Sequence, residues 1–149
     1  RLHQLAAARG YELAFIRGVS PLEEQLTQEL KTLVPGANIL PQLDLPQLLI
    51  AIKSADAAIS NDTGPMHFAT ALGVKTVAIF GPSLEKRWFP IGAEHRLLRA
   101  NNCACISGTF VCRRVNHCLA EIPPETVLEN LENLLSKNSP QPPAIAGSI

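Results

Sequence analysis

The chain has 149 residues, 46% of them apolar and 17% charged, the composition of a globular domain with a real core rather than of a disordered segment. Thirteen basic and thirteen acidic residues cancel, and no cluster of Lys or Arg marks a nucleic-acid footprint. The longest apolar stretches fall far short of the ~20 residues that span a bilayer; no signal peptide is visible, and a start at Arg1 inside a helix-like segment reads as a trimmed or partial chain.

Leu2, Leu5 and Ala6 followed by Gly10 predict the end of an amphipathic helix with a glycine stop. Tyr11 to Ile16 is a strand candidate. Ser20-Pro21-Leu22-Glu23 is a capping box with proline at the first helical position. Leu22, Leu26, Leu30 and Leu33 keep a helical period that Pro35-Gly36 ends, and Ala37 to Leu40 is a short strand. Asp44 is placed to cap a helix running through Ser54, with Leu45, Leu48, Leu49 and Ile52 on its buried side. Ala57 to Ser60 is the next strand, and a helix from about Pro65 to Leu72 stops at Gly73. Thr76 to Phe80 is a continuous apolar strand closed by Gly81-Pro82-Ser83, and Arg96 to Arg99 is a weaker strand signal. Val127, Leu128, Leu131, Leu134 and Leu135 give a last amphipathic helix after Pro123-Pro124. The stretch 137–149, rich in Pro, Ser and small residues, reads as a disordered tail, which leaves 1–136 as the ordered domain. Strands apolar on both faces alternate with helices. That pattern predicts an α/β fold, a Rossmann-like doubly wound parallel sheet covered by helices.

Chemistry concentrates at Ser60-Asn61-Asp62-Thr63-Gly64-Pro65-Met66-His67, between a strand and a helix start. In an open parallel sheet, ligands sit beyond the carboxyl ends of strands. A helix that starts there offers unpaired N–H groups and the positive end of its dipole to a phosphate. Gly64 lets backbone approach closely, Thr63 can donate its hydroxyl, and His67 lies one turn further on, where as a cation it adds to phosphate binding. Asp62 repels phosphate; it suits sugar hydroxyls or the ordering of the turn. The competing role is structural: Asp62 and Thr63 cap the helix and His67 is a surface residue. Asp-Thr-Gly also occurs in aspartic proteases, which need an all-β chain and a second opposing carboxylate, a pattern foreign to this helix-rich sequence. Trp88 and Phe89 suit either stacking on a base or packing.

The four cysteines, Cys103, Cys105, Cys112 and Cys118, lie in one short stretch with His117 beside the last. They are weak candidates for a zinc site, since zinc spacing more often includes a Cys-x2-Cys pair. Reduced thiols and disulfides are the other two readings.

The run Asp56 to Gly73 followed by Val77 to Ser83 closely resembles glycosyltransferase family 9, the bacterial ADP-heptose:lipopolysaccharide heptosyltransferases and their relatives. Arg87-Trp88, Pro90 and Gly92 continue the pattern, and the resemblance runs from about Gly10 to about Leu135. It implies the C-terminal, donor-binding half of a two-domain GT-B enzyme, without the first strand of that half, which would neighbour Ala57 to Ser60. It implies that Asp62, Thr63, Gly64 and His67 bind the pyrophosphate and sugar of a nucleotide sugar such as ADP-heptose. Glu23, or alternatively Glu24, would contact the donor sugar; for Glu23 the capping box is the competing role. The acceptor would be of lipopolysaccharide type. The acceptor site and the catalytic carboxylate base would lie in an N-terminal half, so no catalytic residue is expected in this chain. The parent reaction inverts the anomeric centre and needs no cofactor or metal. The setting would be the cytoplasm, peripheral at the inner face of the inner membrane. Some family members carry a similar cysteine-rich segment. Two other readings stay open: a non-catalytic nucleotide-sugar-binding module, and a zinc-stabilised interaction domain built around the cysteines.

Overall fold

The computed structural model describes residues 1–81, 88–90, 92–100 and 118–136. The cysteine side chains, Pro82, Ser83, Arg87 and the tail 137–149 lie outside the described residues. The chain divides into two compact units, Arg1–Leu48 and Leu49–Ile149.

The first unit opens with helix α1 (Leu2–Ala8). Its end is a Schellman motif: Tyr11 N–H donates to Ala6 O and Gly10 N–H to Ala7 O, both at 3.0 Å, with Gly10 at φ 81°. Strand β1 (Ala14–Phe15) pairs in parallel with β2 (Asn38–Ile39), Ala14 opposite Asn38 and Phe15 opposite Ile39. Both strands are shorter than their apolar runs predict. Between them lies helix α2 (Pro21–Leu33), started by the expected capping box. Glu23 N–H donates to Ser20 Oγ at 3.3 Å, and Ser20 N–H donates to the Glu23 carboxylate at 3.0 Å. The leucine period of α2 does not become a buried face. Leu22, Leu26 and Leu33 are exposed, Leu33 at 78%, while Thr27 on the adjacent stripe is buried. Length supplies a reason: two-residue strands are about 7 Å long, whereas a thirteen-residue helix is about 20 Å, so the little sheet cannot cover the whole stripe.

Helix α3 (Leu45–Lys53) straddles the division between units. Asp44 caps it as expected, accepting from Gln47 N–H at 2.8 Å, while Asp44 N–H donates back to the Gln47 side chain at 3.0 Å. Of the four residues expected on its buried side only Ile52 is fully buried, and Leu45 is exposed.

The second unit is a three-stranded parallel sheet in the order β3 (Ala57–Asn61), β4 (Lys75–Phe80), β5 (His95–Arg99). Among the described residues no ladder joins it to the β1–β2 pair, so β3 and β5 are its edges. Thr76, Val77 and Ala78 are consecutive and all buried. Side chains alternate across a strand, so β4 is covered on both faces. Helix α4 (Gly64–Ala71) packs on β3 and β4, and helix α5 (Pro124–Ser136) packs on β4 and β5. The core is built from Met66 of α4 against Ala78 and Phe80 of β4, with Phe89 and Leu97 packed alongside. Val127, Leu128, Leu131 and Leu134 form the buried stripe of α5. A short 3-10 turn (Cys118–Glu121) precedes it. Among the described residues no helix is long and apolar enough to cross a membrane.

Candidate functional site

Because β3, β4 and β5 run parallel, their carboxyl ends share one edge of the sheet. β3 ends at Asn61, and the chain turns through Asp62 and Thr63 into the N-terminus of α4. The far end of α4 is fixed by a second Schellman motif, with Val74 N–H on Ala69 O, Gly73 N–H on Thr70 O and Gly73 at φ 72°. The Lys53 ammonium also donates to Leu72 O at 2.8 Å, placing a cation at the negative end of the helix dipole. The helix that carries the turn is thus anchored from behind.

Thr63 occupies the N-cap position, with extended backbone, yet its side chain makes no capping hydrogen bond. Its hydroxyl donates instead to Asn61 O at 3.3 Å and lies 3.4 Å from Ser60 Oγ. Pro65 has no N–H to satisfy. The hydroxyl of Thr63 and the N-terminal amides of α4 are therefore not tied to each other, which departs from the capping role weighed for this residue. Gly64 is not demanded by the fold: its φ is not positive, and among the described residues a Cβ there would meet nothing nearer than a Phe68 ring atom at 3.9 Å. An alanine would fit, so the missing side chain leaves room on the outer surface of the turn.

His67 is the fourth residue of α4. Helical side chains lean toward the N-terminus, and its imidazole accordingly reaches back, Nε2 lying 3.8 Å from Asp62 Oδ1. The His67 side chain is 44% exposed and that of Asp62 15%. The imidazole also meets the Trp88 indole edge-on, with centroids 6.3 Å apart. The structure thus brings Asp62, Thr63, Gly64 and His67 into one turn, and adds Trp88.

Arg99 was not singled out from sequence. It ends β5 in register with Phe80, and its Nη2 donates to Gly81 O at 2.7 Å. A guanidinium therefore sits on the same carboxyl edge as the turn, two strands (about 10 Å) across. The register that puts it there is a non-local fact, invisible in a run of five residues.

Glu23 and Glu24 belong to the first unit. The Glu23 carboxylate is engaged by the Ser20 hydroxyl at 2.6 Å and by Ser20 N–H, bonds that hold it below the usual carboxylate range. It lies so close to Gly18 that a Cβ there would collide with it. Glu24 instead pairs with Arg17 and accepts from the Gln28 amide, which with Arg17 lowers its pKa. A cleft of about 320 Å³ is lined by Arg17, Glu24, Thr27, Lys31, Ile39 and Pro41, at the carboxyl ends of β1 and β2. Of the two acids, Glu24 lines this cleft and Glu23 serves the helix start. Among the described residues no group of three or more His, Cys, Asp or Glu side chains is placed to hold a metal ion.

A parallel sheet flanked by helices, with a polar turn between a strand's carboxyl end and a helix N-terminus, is a Rossmann-like α/β arrangement. The family model of glycosyltransferase family 9 (heptosyltransferase) matches residues 1–118. The chain is 34% identical over 131 residues to lipooligosaccharide heptosyltransferase 2 of Campylobacter jejuni, covering 83% of this chain and 41% of that protein. It is 33% identical over 106 residues to lipopolysaccharide heptosyltransferase 2 of Salmonella typhimurium, covering 67% of this chain and 29% of the relative. Among solved structures, Escherichia coli ADP-heptose lps heptosyltransferase II superposes with a TM-score of 0.70 at 26% identity, over 90% of this chain and 39% of that one. The chain belongs to glycosyltransferase family 9. It spans less than half the length of each of these relatives.

Proposed function

We propose that this chain is the donor-binding part of a glycosyltransferase that moves a heptose or related sugar from an ADP-sugar to a lipopolysaccharide-type acceptor. The observation that carries the reading is the Asp62–Gly64 turn. In a family 9 chain, it sets an uncapped helix N-terminus, an open glycine and a histidine at the carboxyl end of a parallel strand. The relatives' names supply the substrate class: one structural neighbour is an ADP-heptose lps heptosyltransferase.

In this reading the diphosphate sits on the α4 N-terminus, held by the Gly64 N–H, the Thr63 hydroxyl and the His67 imidazole, since Met66 N–H already donates to Thr63 O and Pro65 has no N–H. Asp62 accepts from sugar hydroxyls, as does an acid in the first turn of α2. Its place lining the cleft favours Glu24 over Glu23 for that second role. The transfer is a displacement at the anomeric carbon. A base outside this chain takes the acceptor proton, the acceptor oxygen forms the new bond, and ADP departs with the bonding pair. Negative charge grows on the β-phosphate as it leaves, where the helix dipole and the imidazole stabilise it. No metal is needed for that. The domain spans 1–136, and the enzyme works in the cytoplasm at the inner face of the membrane. The 149-residue chain alone binds donor without turnover.

The test is calorimetric titration of the chain with ADP, with thermal unfolding alongside. Binding is expected, and His67→Ala should weaken it about tenfold, the worth of one charge-assisted hydrogen bond. Absence of binding and of any shift in unfolding temperature with ADP overturns the reading. So does measurable sugar transfer by the isolated chain, for the claim that the base lies elsewhere.

A further inference from the structure

Trp88 and Phe89 are consecutive aromatic residues with different surroundings. Phe89 packs into the core, its ring edge-on to Phe80 at 6.1 Å and against the Met66–Ala78–Phe80 cluster. Trp88 remains 40% exposed and meets the His67 imidazole. The core contact of Phe89 fixes the backbone at this point, and that anchoring delivers the neighbouring indole to the histidine. The imidazole then has two neighbours, the Asp62 carboxylate 3.8 Å from Nε2 and the indole. A histidine exposed on the first turns of a helix otherwise has several staggered rotamers open to it. A ring pinned at the turn loses no rotamer freedom when a ligand arrives.

We propose that Trp88 is a positioning residue for His67: the indole holds the imidazole beside Asp62, at the start of α4, so that the ring meets a bound diphosphate without reordering. The inference rests on the donor-site reading above. It assigns Trp88 a role through His67 rather than through the ligand, and it makes an aromatic ring at residue 88 a determinant of diphosphate affinity. The edge-on contact requires a ring, so phenylalanine should keep most of the effect and alanine none.

The experiment is a double-mutant cycle on the full chain, with ADP as the probe and calorimetry as the readout, joined to NMR of the histidine ring protons without ligand. Trp88→Ala is expected to weaken ADP binding about three- to tenfold, to leave the unfolding temperature close to wild type because Phe89 keeps the core contact, and to move the His67 ring resonances by removing the indole ring current. Trp88→Phe should restore most of the affinity. In a His67→Ala background, Trp88→Ala should cost nothing further. Losses that multiply in the double variant overturn the positioning role, because Trp88 then acts without His67. Unmoved His67 resonances in Trp88→Ala overturn it as well. A wild-type chain that fails to bind ADP overturns the donor-site reading itself, and this inference with it. A chain that binds ADP but shows multiplying losses overturns only the role of Trp88.

Discussion

The His67 imidazole turns back along its own helix to Asp62, Nε2 to Oδ1 at 3.8 Å, so that a cationic candidate and an acid stand side by side at the start of α4. In the donor-site reading the pairing divides the labour of the turn. A carboxylate next to a diphosphate is repelled by it, but one that faces an imidazole and accepts from sugar hydroxyls is not.

Replacing Asp62 by Asn keeps the shape and removes the charge. Affinity for ADP should change by less than about threefold, since the lost orientation of His67 and the relieved repulsion of the diphosphate oppose each other. Affinity for ADP-heptose should fall about tenfold, because hydrogen bonds from sugar hydroxyls to a charged acceptor are the stronger kind. Calorimetry with the two ligands separates these effects. Equal losses for both would show that Asp62 serves only the turn.

Gly64 gives a sharper test of the same surface. Among the described residues a methyl group there meets no atom closer than 3.9 Å, and the backbone is not left-handed. Gly64→Ala should therefore unfold at or slightly above the wild-type temperature, alanine being the better helix former. In the donor-site reading proposed above, the same methyl stands where backbone approaches the phosphates, so ADP affinity should drop about ten- to hundredfold. A variant that binds ADP normally would move the diphosphate away from this turn.

Glu23 and Glu24 are adjacent and chemically alike, and the chain puts them to different work. The Glu23 carboxylate is tied to Ser20, which lowers its pKa. A depressed carboxylate contributes stability that is present above its ordinary value and lost as pH falls through the folded one. Ser20→Ala should cost about 1 kcal/mol and flatten the acid limb of the stability curve, and Glu23→Gln should flatten it too. Neither should alter ADP-heptose binding beyond its effect on folding. Glu24→Gln should do the reverse, weakening ADP-heptose about tenfold with little change in unfolding temperature. If the two variants exchange these effects, Glu23 is the donor contact.

What could be read from sequence was what short-range chemistry decides. The glycine stops at Gly10 and Gly73, the capping box at Ser20 and the cap at Asp44 depend on residues within one or two turns, and all four formed. The parallel α/β pattern and the strand–turn–helix order around Asp62 were legible for the same reason: a strand, a polar turn and a helix start are contiguous. The helical period of α2 held, whereas the buried side expected of α3 was reached fully only by Ile52, because periodicity states which side is apolar and not whether anything covers it. Arg99 went unremarked in the sequence because its place at the carboxyl edge of the sheet depends on the β4–β5 register. Sequence favoured Glu23 over Glu24 as the sugar contact on resemblance alone, without sight of the side-chain partners of either. Neighbours on a helix point about 100° apart, and only the side-chain partners show which of them faces the cleft.

His95 supplies a prediction about stability rather than binding. It opens β5, is 4% exposed, and its Nδ1 has no hydrogen-bond partner among the described residues. Burial pushes its pKa below the ordinary 6.5, and Glu94, whose Oε1 lies 3.6 Å from Nε2, opposes this only in part. As pH falls, the unfolded chain takes up its proton first, near 6.5, while the folded chain still resists protonation. The unfolded state then binds more protons than the native one, so stability declines from that pH downward and is complete above it. Urea midpoints measured from pH 8 to pH 5 should fall below about pH 6.5, and His95→Gln should remove this part of the slope because glutamine does not titrate. A wild-type midpoint that stays level across the window would mean that the folded and unfolded chains bind this proton alike, and a slope that survives in His95→Gln would assign it to other groups.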